Sequence, residues 1–301
     1  MRDAMRQQDG SAPLAALLAA VPVRAAGMIV TLYGDVVVPR GGEVWMGSIV
    51  EACAGLGISE TLVRTAVSRL VSAGQLEGWR RGRRSFYRLS AQAGEEFAKA
   101  ERLIYGPPEI WRWRFLHLPE PGAEARMAEL ERQGYARLRP HLAVGPARGP
   151  VPRGLLAFEA EPAGAQALLA EFAAEAWDLA ALARTYDAFL ADFSPLDGLA
   201  LAGAEALSAR LLLVHAWRQV LLRDPRLPAE ALPADWPGHA ARRLFHRLYR
   251  ALTPEADSWV GARFEGAAGL LACQTSATRA RLAGQEIEPG QGVSDLLGVA
   301  G

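Results

Sequence analysis

The segment GISETLVRTAVSRLVSAG, residues 57–74, divides cleanly into an apolar and a polar half when wound as a helix. At 100° per residue, Leu62, Val63, Ala66, Val67, Leu70 and Val71 cover one side, and Thr61, Arg64, Thr65, Ser68, Arg69 and Ser72 the other. Ser59 stands where an N-cap belongs, Glu60 gives an acidic first turn, and Gly74 is the stop. Helical patterning also covers Ala25–Tyr33 and, after a short extended piece at Glu43–Trp45, Gly47–Leu56, so a tight turn at Gly57 would join two helices in a helix-turn-helix arrangement. Two short strands follow, Leu76–Trp79 and Ser85–Leu89, joined by an arginine-glycine turn. These elements predict a winged helix-turn-helix head over residues 23–106, ending at Pro107 and Pro108.

Beyond the head the periodicity changes. Trp111–Leu118 alternates like a strand, residues 122–134 read as a helix, and Tyr135–Val144 and Gly154–Glu161 read as strands before the helix Ala163–Ala176. That order predicts a small α+β sandwich over 107–178 with helices on one face. From Trp177 the chain turns helical, with segments Leu179–Phe193, Leu199–Arg223 and Gly238–Leu252, and Pro225, Pro228, Pro233 and Pro237 interrupting the last two. The expected organisation is α+β: a flexible tail over 1–22, the head, the middle domain, a mostly helical C-terminal domain over 179–283, and a flexible tail over 284–301.

Composition narrows the class. A chain of 301 residues, 50% hydrophobic and 22% charged, is expected to fold into two or three soluble domains. The net charge is zero, but 13 Lys/Arg stand against 10 Asp/Glu up to Tyr105, and 20 against 23 afterwards. Within Ser59–Ser90 seven arginines face only Glu60 and Glu77, which is where a polyanion would be drawn. Lys99 is the only lysine, so arginine is this chain's default cation and a bare arginine proves little. Cys53 and Cys273 support neither a disulfide framework nor a zinc site, and fit a reducing cytoplasm. The apolar run Pro13–Val23 is not read as an export signal, because Asp3 and Asp9 cancel Arg2 and Arg6; Pro22 and Arg24 keep it too short to span a bilayer.

The polar half of the second helix holds small hydroxyls and arginines. Such side chains suit a DNA major groove, where hydroxyls bond phosphates or bases and Arg64 or Arg69 can take guanine bidentately. Ser59, Thr61, Arg64, Thr65, Ser68 and Arg69 are therefore the candidate reading residues. Arg80, Arg81, Arg83 and Arg84, crowded about Gly82, would repel one another without an anionic partner and are read as a wing gripping the phosphate backbone, anchored by Trp79, Phe86, Tyr87 and Leu89. Farther on, His239, Arg242, Arg243, His246 and Arg250 share one helical face, with Ala241, Leu244, Phe245, Leu248 and Leu252 opposite. The plain reading is a solvated basic face; the functional one is an anion site for an effector, with an aromatic pocket at Trp217 or Trp236. Enzyme signatures are missing: no G-x-S-x-G, no H-E-x-x-H, and no G-x-G-x-x-G after a strand. Glu120 is the one acid near the end of the first middle-domain strand, too little for a metal-dependent nuclease, and no metal or cofactor is expected.

The stretch from Thr31 to Ser90, TLYGDVVVPRGGEVWMGSIVEACAGLGISETLVRTAVSRLVSAGQLEGWRRGRRSFYRLS, resembles the head of the PaaX family, repressors of phenylacetic acid degradation operons. The resemblance continues through WDLAALARTYDAFL at Trp177–Leu190 and LLRDPRLPAEALPADWPGHAARRLFHRLY at Leu221–Tyr249. It implies a winged-helix head, a ferredoxin-like middle domain that mediates homodimerisation, and a helical C-terminal domain. It also implies release from double-stranded operator DNA by an aryl-CoA thioester, typically phenylacetyl-CoA. The alternative class is a DNA-binding enzyme with a nuclease-like middle domain, or a non-specific architectural DNA-binding protein; sequence preference in competition binding separates them.

Overall fold

The computed structural model describes residues 12–106 and 112–284. These divide into two compact units, one falling within Met1–Pro107, Leu190–Arg218 and Arg242–Gly301, the other within Pro108–Phe189 and Gln219–Ala241. The helical block expected over 179–283 is thus shared between the units.

The first unit opens with α1 (Ala12–Ala20), which buries Leu14 and Leu17 and corrects the expectation of a tail over 1–22. Residues 1–11 of that tail, and the C-terminal one from 285 onward, lie outside the described residues. α2 (Ala25–Leu32) runs through a wide turn at Tyr33–Val37 and a tight one at Val38–Arg40 into β1 (Glu43–Trp45). There follow α3 (Met46–Ala54), α4 (Glu60–Ser72), β2 (Leu76–Arg81), β3 (Arg84–Leu89) and α5 (Ala91–Tyr105), the last unforeseen. The strands form an antiparallel sheet in the order β1-β3-β2.

The second unit holds β4 (Trp113–His117), α6 (Ala123–Arg132), β5 (Ala136–Arg139), β6 (Leu142–Pro146), β7 (Leu156–Ala160) and α7 (Gln166–Ala176), and α8 (Leu179–Phe193) follows. Its four strands are antiparallel throughout, in the order β5-β6-β4-β7, over a core of Leu116, Leu118, Met127, Leu130, Tyr135 and Ala143. Tyr135–Val144 is a hairpin rather than the single strand expected. Pro140 has no N–H for a ladder, and the chain turns at Pro140 and His141.

The remaining elements are α9 (Gly203–Leu221), α10 (Pro237–Arg263), the small hairpin β8 (Glu265–Gly266) and β9 (Gly269–Leu270), and α11 (Ser276–Gly284). α10 continues past the expected end at Leu252, with Pro254 inside it. Proline there removes one N–H, and the Thr253 hydroxyl donates to the Tyr249 carbonyl at 2.6 Å one turn back.

Buried charges tie the N-terminal part of the first unit to its later helices. Arg210 approaches Asp257 at 2.6 Å and Asp35 at 2.9 Å, the second an ion pair whose N–H is not aligned as a hydrogen bond. Arg40 lies 2.6 Å from the same Asp257 oxygen and donates to the carbonyls of Ala272 and Cys273. The Tyr105 and Tyr249 hydroxyls donate to Asp35 Oδ1 at 3.0 and 2.9 Å, while Arg281 donates to the Gly34 and Asp35 carbonyls and pairs with Glu101. Burial alone would raise the Asp35 carboxyl; Arg210, Arg281 and the two hydroxyls overcome it and hold the group below the usual carboxylate range.

One further buried group gives a pH dependence. Burial first, and then the Arg218 guanidinium, hold the His215 imidazole below its ordinary value, with the Thr31 hydroxyl 3.0 Å from its Nδ1. The folded chain keeps His215 neutral where the unfolded chain takes up a proton below about pH 6.5. This contribution to stability is present above that pH and is lost as the pH falls, so His215→Gln should flatten the fall in melting temperature between about pH 7 and pH 5.

Candidate nucleic-acid interface

α4 is bounded as its sequence predicts. The Ser59 hydroxyl accepts from the Leu62 N–H at 3.4 Å. At the other end the Gly74 N–H reaches the Val71 carbonyl and the Gln75 N–H the Leu70 carbonyl, both at 2.9 Å. That double closure needs a left-handed residue at Gly74, whose φ is +68°.

The buried face of α4 is narrower than expected: Val63, Ala66, Val67 and Leu70 are covered, but Leu62 is 58% exposed and Val71 37%. These two flank the polar stripe. Thr61, Arg64, Thr65, Ser68, Arg69 and Ser72 are all exposed. Arg64 is held by Glu60 at 2.7 Å, an exposed pair of little strength, whereas Arg69 has no partner among the described residues.

The adjoining hairpin is longer than expected. Arg80, Arg81 and Arg84 belong to its strands, and the turn is only Gly82, with φ +62°, and Arg83. Strand alternation therefore sorts the three strand arginines by face. Arg80 pairs across with Ser85, on the face carrying buried Val44 and Leu76, where β2 packs on α4. Arg81 and Arg84 pair on the opposite face with Trp79 and Phe86, whose rings stack at 6.1 Å. There Arg84 lies 4.7 Å over the Trp45 ring and forms an ion pair with Glu265, while Arg81 donates to the Ala267 carbonyl at 2.7 Å. The expectation that all four need an external anion is corrected: two are held within the chain, and Arg80 and Arg83 have no partner among the described residues. Nothing in the local sequence disclosed this, because the partners lie about 180 residues downstream.

The basic stripe on α10 also takes shape, with His239, Arg243 and Arg250 exposed and Arg242 and His246 half-buried. Arg242 donates to the Gly106 carbonyl at 3.2 Å. The two tryptophans expected to shape an aromatic pocket fall in different units, each buried: Trp217 stacks on Phe245 at 5.0 Å, and Trp236 meets Tyr186 edge-on at 5.7 Å. A groove of about 550 Å³ lies in the second unit, with Trp113, Phe172, Leu168 and Leu169 in its wall and Arg112 among its charged residues.

Among the described residues no three His, Cys, Asp or Glu side chains gather into a metal site. Glu120 lies exposed, 3.7 Å from His141 Nδ1. Burial pushes the Cys53 thiol up to about 12, so it stays protonated. No single described helix is long and apolar enough to cross a membrane.

Comparison with known proteins adds to this geometry. Residues 24–93 match the family model described as PaaX-like protein, and residues 177–262 the one described as PaaX-like protein C-terminal domain. The chain is 35% identical over 294 residues to "Transcriptional repressor PaaX" of Escherichia coli (strain K12), covering 89% of this chain and 93% of that protein. Among solved structures it is similar to "Uncharacterized protein Rv0674 from Mycobacterium tuberculosis", with a TM-score of 0.48 and 23% identity over 71% of this chain and 90% of the other.

Proposed function

The chain belongs to the PaaX family, and from that premise we propose that it is a DNA-binding transcriptional repressor of a phenylacetate catabolic operon rather than an enzyme. The observation that carries this reading is the exposed hydroxyl-and-arginine stripe of α4 beside a hairpin whose Arg80 and Arg83 are exposed and have no partner among the described residues. In this reading α3, α4 and the β2–β3 hairpin are a winged helix-turn-helix: α4 enters the major groove, and Arg80 and Arg83 take phosphates. The second unit supports a ferredoxin-like assignment by its antiparallel strand order, with one departure: α7 follows the fourth strand, where that fold places its second helix before it. A homodimer would present two such heads to an inverted repeat in the cytoplasm.

For the effector, the guanidinium groups along α10 offer sites for the phosphates of an aryl-CoA thioester such as phenylacetyl-CoA. Arg243→Ala is expected to weaken the response to that thioester at least severalfold while leaving operator affinity unchanged.

A mobility shift with the DNA upstream of the protein's own gene tests the whole reading. The complex should survive excess random DNA at physiological salt and be released by phenylacetyl-CoA, but not by phenylacetate or free CoA. Loss of the complex to random DNA would favour the architectural alternative, and cleavage of the probe the enzymatic one.

A further inference from the structure

The segment following α10 touches both parts of the proposed DNA-reading head. Arg263, the last residue of α10, forms an ion pair with Glu51 of α3 and lies 4.5 Å over the Trp259 ring. The Glu265 N–H donates to the buried Ser48 hydroxyl of α3 at 3.0 Å, while its carboxylate pairs with Arg84 of the wing. Two residues on, the Ala267 carbonyl accepts from Arg81 at 2.7 Å. At Gly266 the approach to edge strand β1 is too close for a side chain to fit freely, since a Cβ would lie 3.1 Å from the Glu43 carbonyl oxygen. One short segment thus holds the first helix of the pair and both wing arginines on the Trp79–Phe86 face.

Stability does not explain this arrangement, because half-exposed ion pairs such as Glu265 with Arg84 contribute little to it. Their geometric effect is larger. β1 pairs with β3 only at Phe86–Arg88, so beyond Phe86 the hairpin is a two-stranded ribbon, marginally stable alone and free to swing, yet α4 and the wing must meet one duplex in fixed register. We propose that Arg263–Leu270 is a bracket that sets the wing's position against the helix pair, with Glu265 as its positioning residue. Glu265 also withholds Arg84 from phosphate, which limits sequence-independent attraction and so sharpens preference for the operator. This rests on the repressor reading only where it concerns DNA.

Glu265→Gln keeps the size of the side chain and the backbone N–H while removing the charge. In the free protein, hydrogen exchange across β2 and β3 should quicken about fivefold or more, with α4 exchange and the melting temperature unchanged. On DNA, affinity for random duplex should rise and its dependence on salt steepen by about 0.9 in log–log slope as Arg84 becomes available, while the operator-to-random affinity ratio falls about tenfold. In Glu265→Gln/Arg84→Gln the slope should return to the wild-type value while the ratio stays low. A structural defect alone would weaken both kinds of DNA binding and lower the melting temperature. Unchanged hydrogen exchange in β2 and β3 would overturn the bracket whatever DNA does, and so would an unchanged ratio in a wild type that prefers its operator. A wild type without operator preference would instead sink the repressor reading, leaving hydrogen exchange to decide the bracket.

Discussion

Replacing Arg210 with methionine is expected to destabilise the first unit by about 3–5 kcal/mol, because it leaves a buried negative charge without its counterion. Arg210 is almost fully buried between Asp35 and Asp257. Two carboxylates and two guanidiniums, those of Arg40 and Arg210, balance there, and methionine fills the same stem volume without the charge. For a unit of this size the melting temperature should drop by roughly 6–20 °C. Asp257→Asn alone should also destabilise, but Arg210→Met/Asp257→Asn should be less damaging than the sum of the two, the sign expected when both partners of a buried pair go together. Residues 23–106 expressed alone should fail to fold, because Asp35, Arg40 and Tyr105 would lose Arg210, Tyr249, Asp257 and Arg281.

On DNA the arginines should separate into three behaviours. Arg69, exposed on α4 and without a partner among the described residues, is the candidate for bidentate guanine recognition, so Arg69→Ala should cost about 1–3 kcal/mol, roughly 5–160-fold, and relax preference at one base pair. Arg80→Ala and Arg83→Ala should each weaken binding to all sequences alike, lowering the log–log salt slope by about 0.9. Arg81→Ala and Arg84→Ala should leave the slope unchanged, since their guanidiniums are bound to Ala267 and Glu265. Affinity measured for each variant at several salt concentrations distinguishes the three patterns, and equal slopes for all four wing variants would refute the partition.

What the sequence made legible was local. The caps of α4, its exposed hydroxyls, and the hairpin after it depend on residues within a few positions of one another, and local patterning reads them correctly. Features decided by distant parts of the chain escaped. Leu62 and Val71 fit an apolar half-helix by angle, yet the packing surface that α2 and α3 offer is narrower than that half. Arg81 and Arg84 looked like their neighbours because Glu265 and Ala267 stand far away in sequence. The helical block after Trp177 looked like one domain, since periodicity records that a helix is amphipathic but not which core it covers. Trp217 and Trp236 looked available for a ligand for the same reason, although Phe245 and Tyr186 already pack against them.

The claim on which the account rests is that the exposed stripe of α4 lies against DNA. Ser68 sits in that stripe, and a carboxylate there would face phosphates without disturbing the buried side of the helix. The decisive measurement is the affinity of Ser68→Glu for the upstream DNA, with its melting temperature as control. The account predicts an unchanged melting temperature and a loss of specific binding of about a hundredfold or more; binding equal to wild type by a folded Ser68→Glu protein would contradict it.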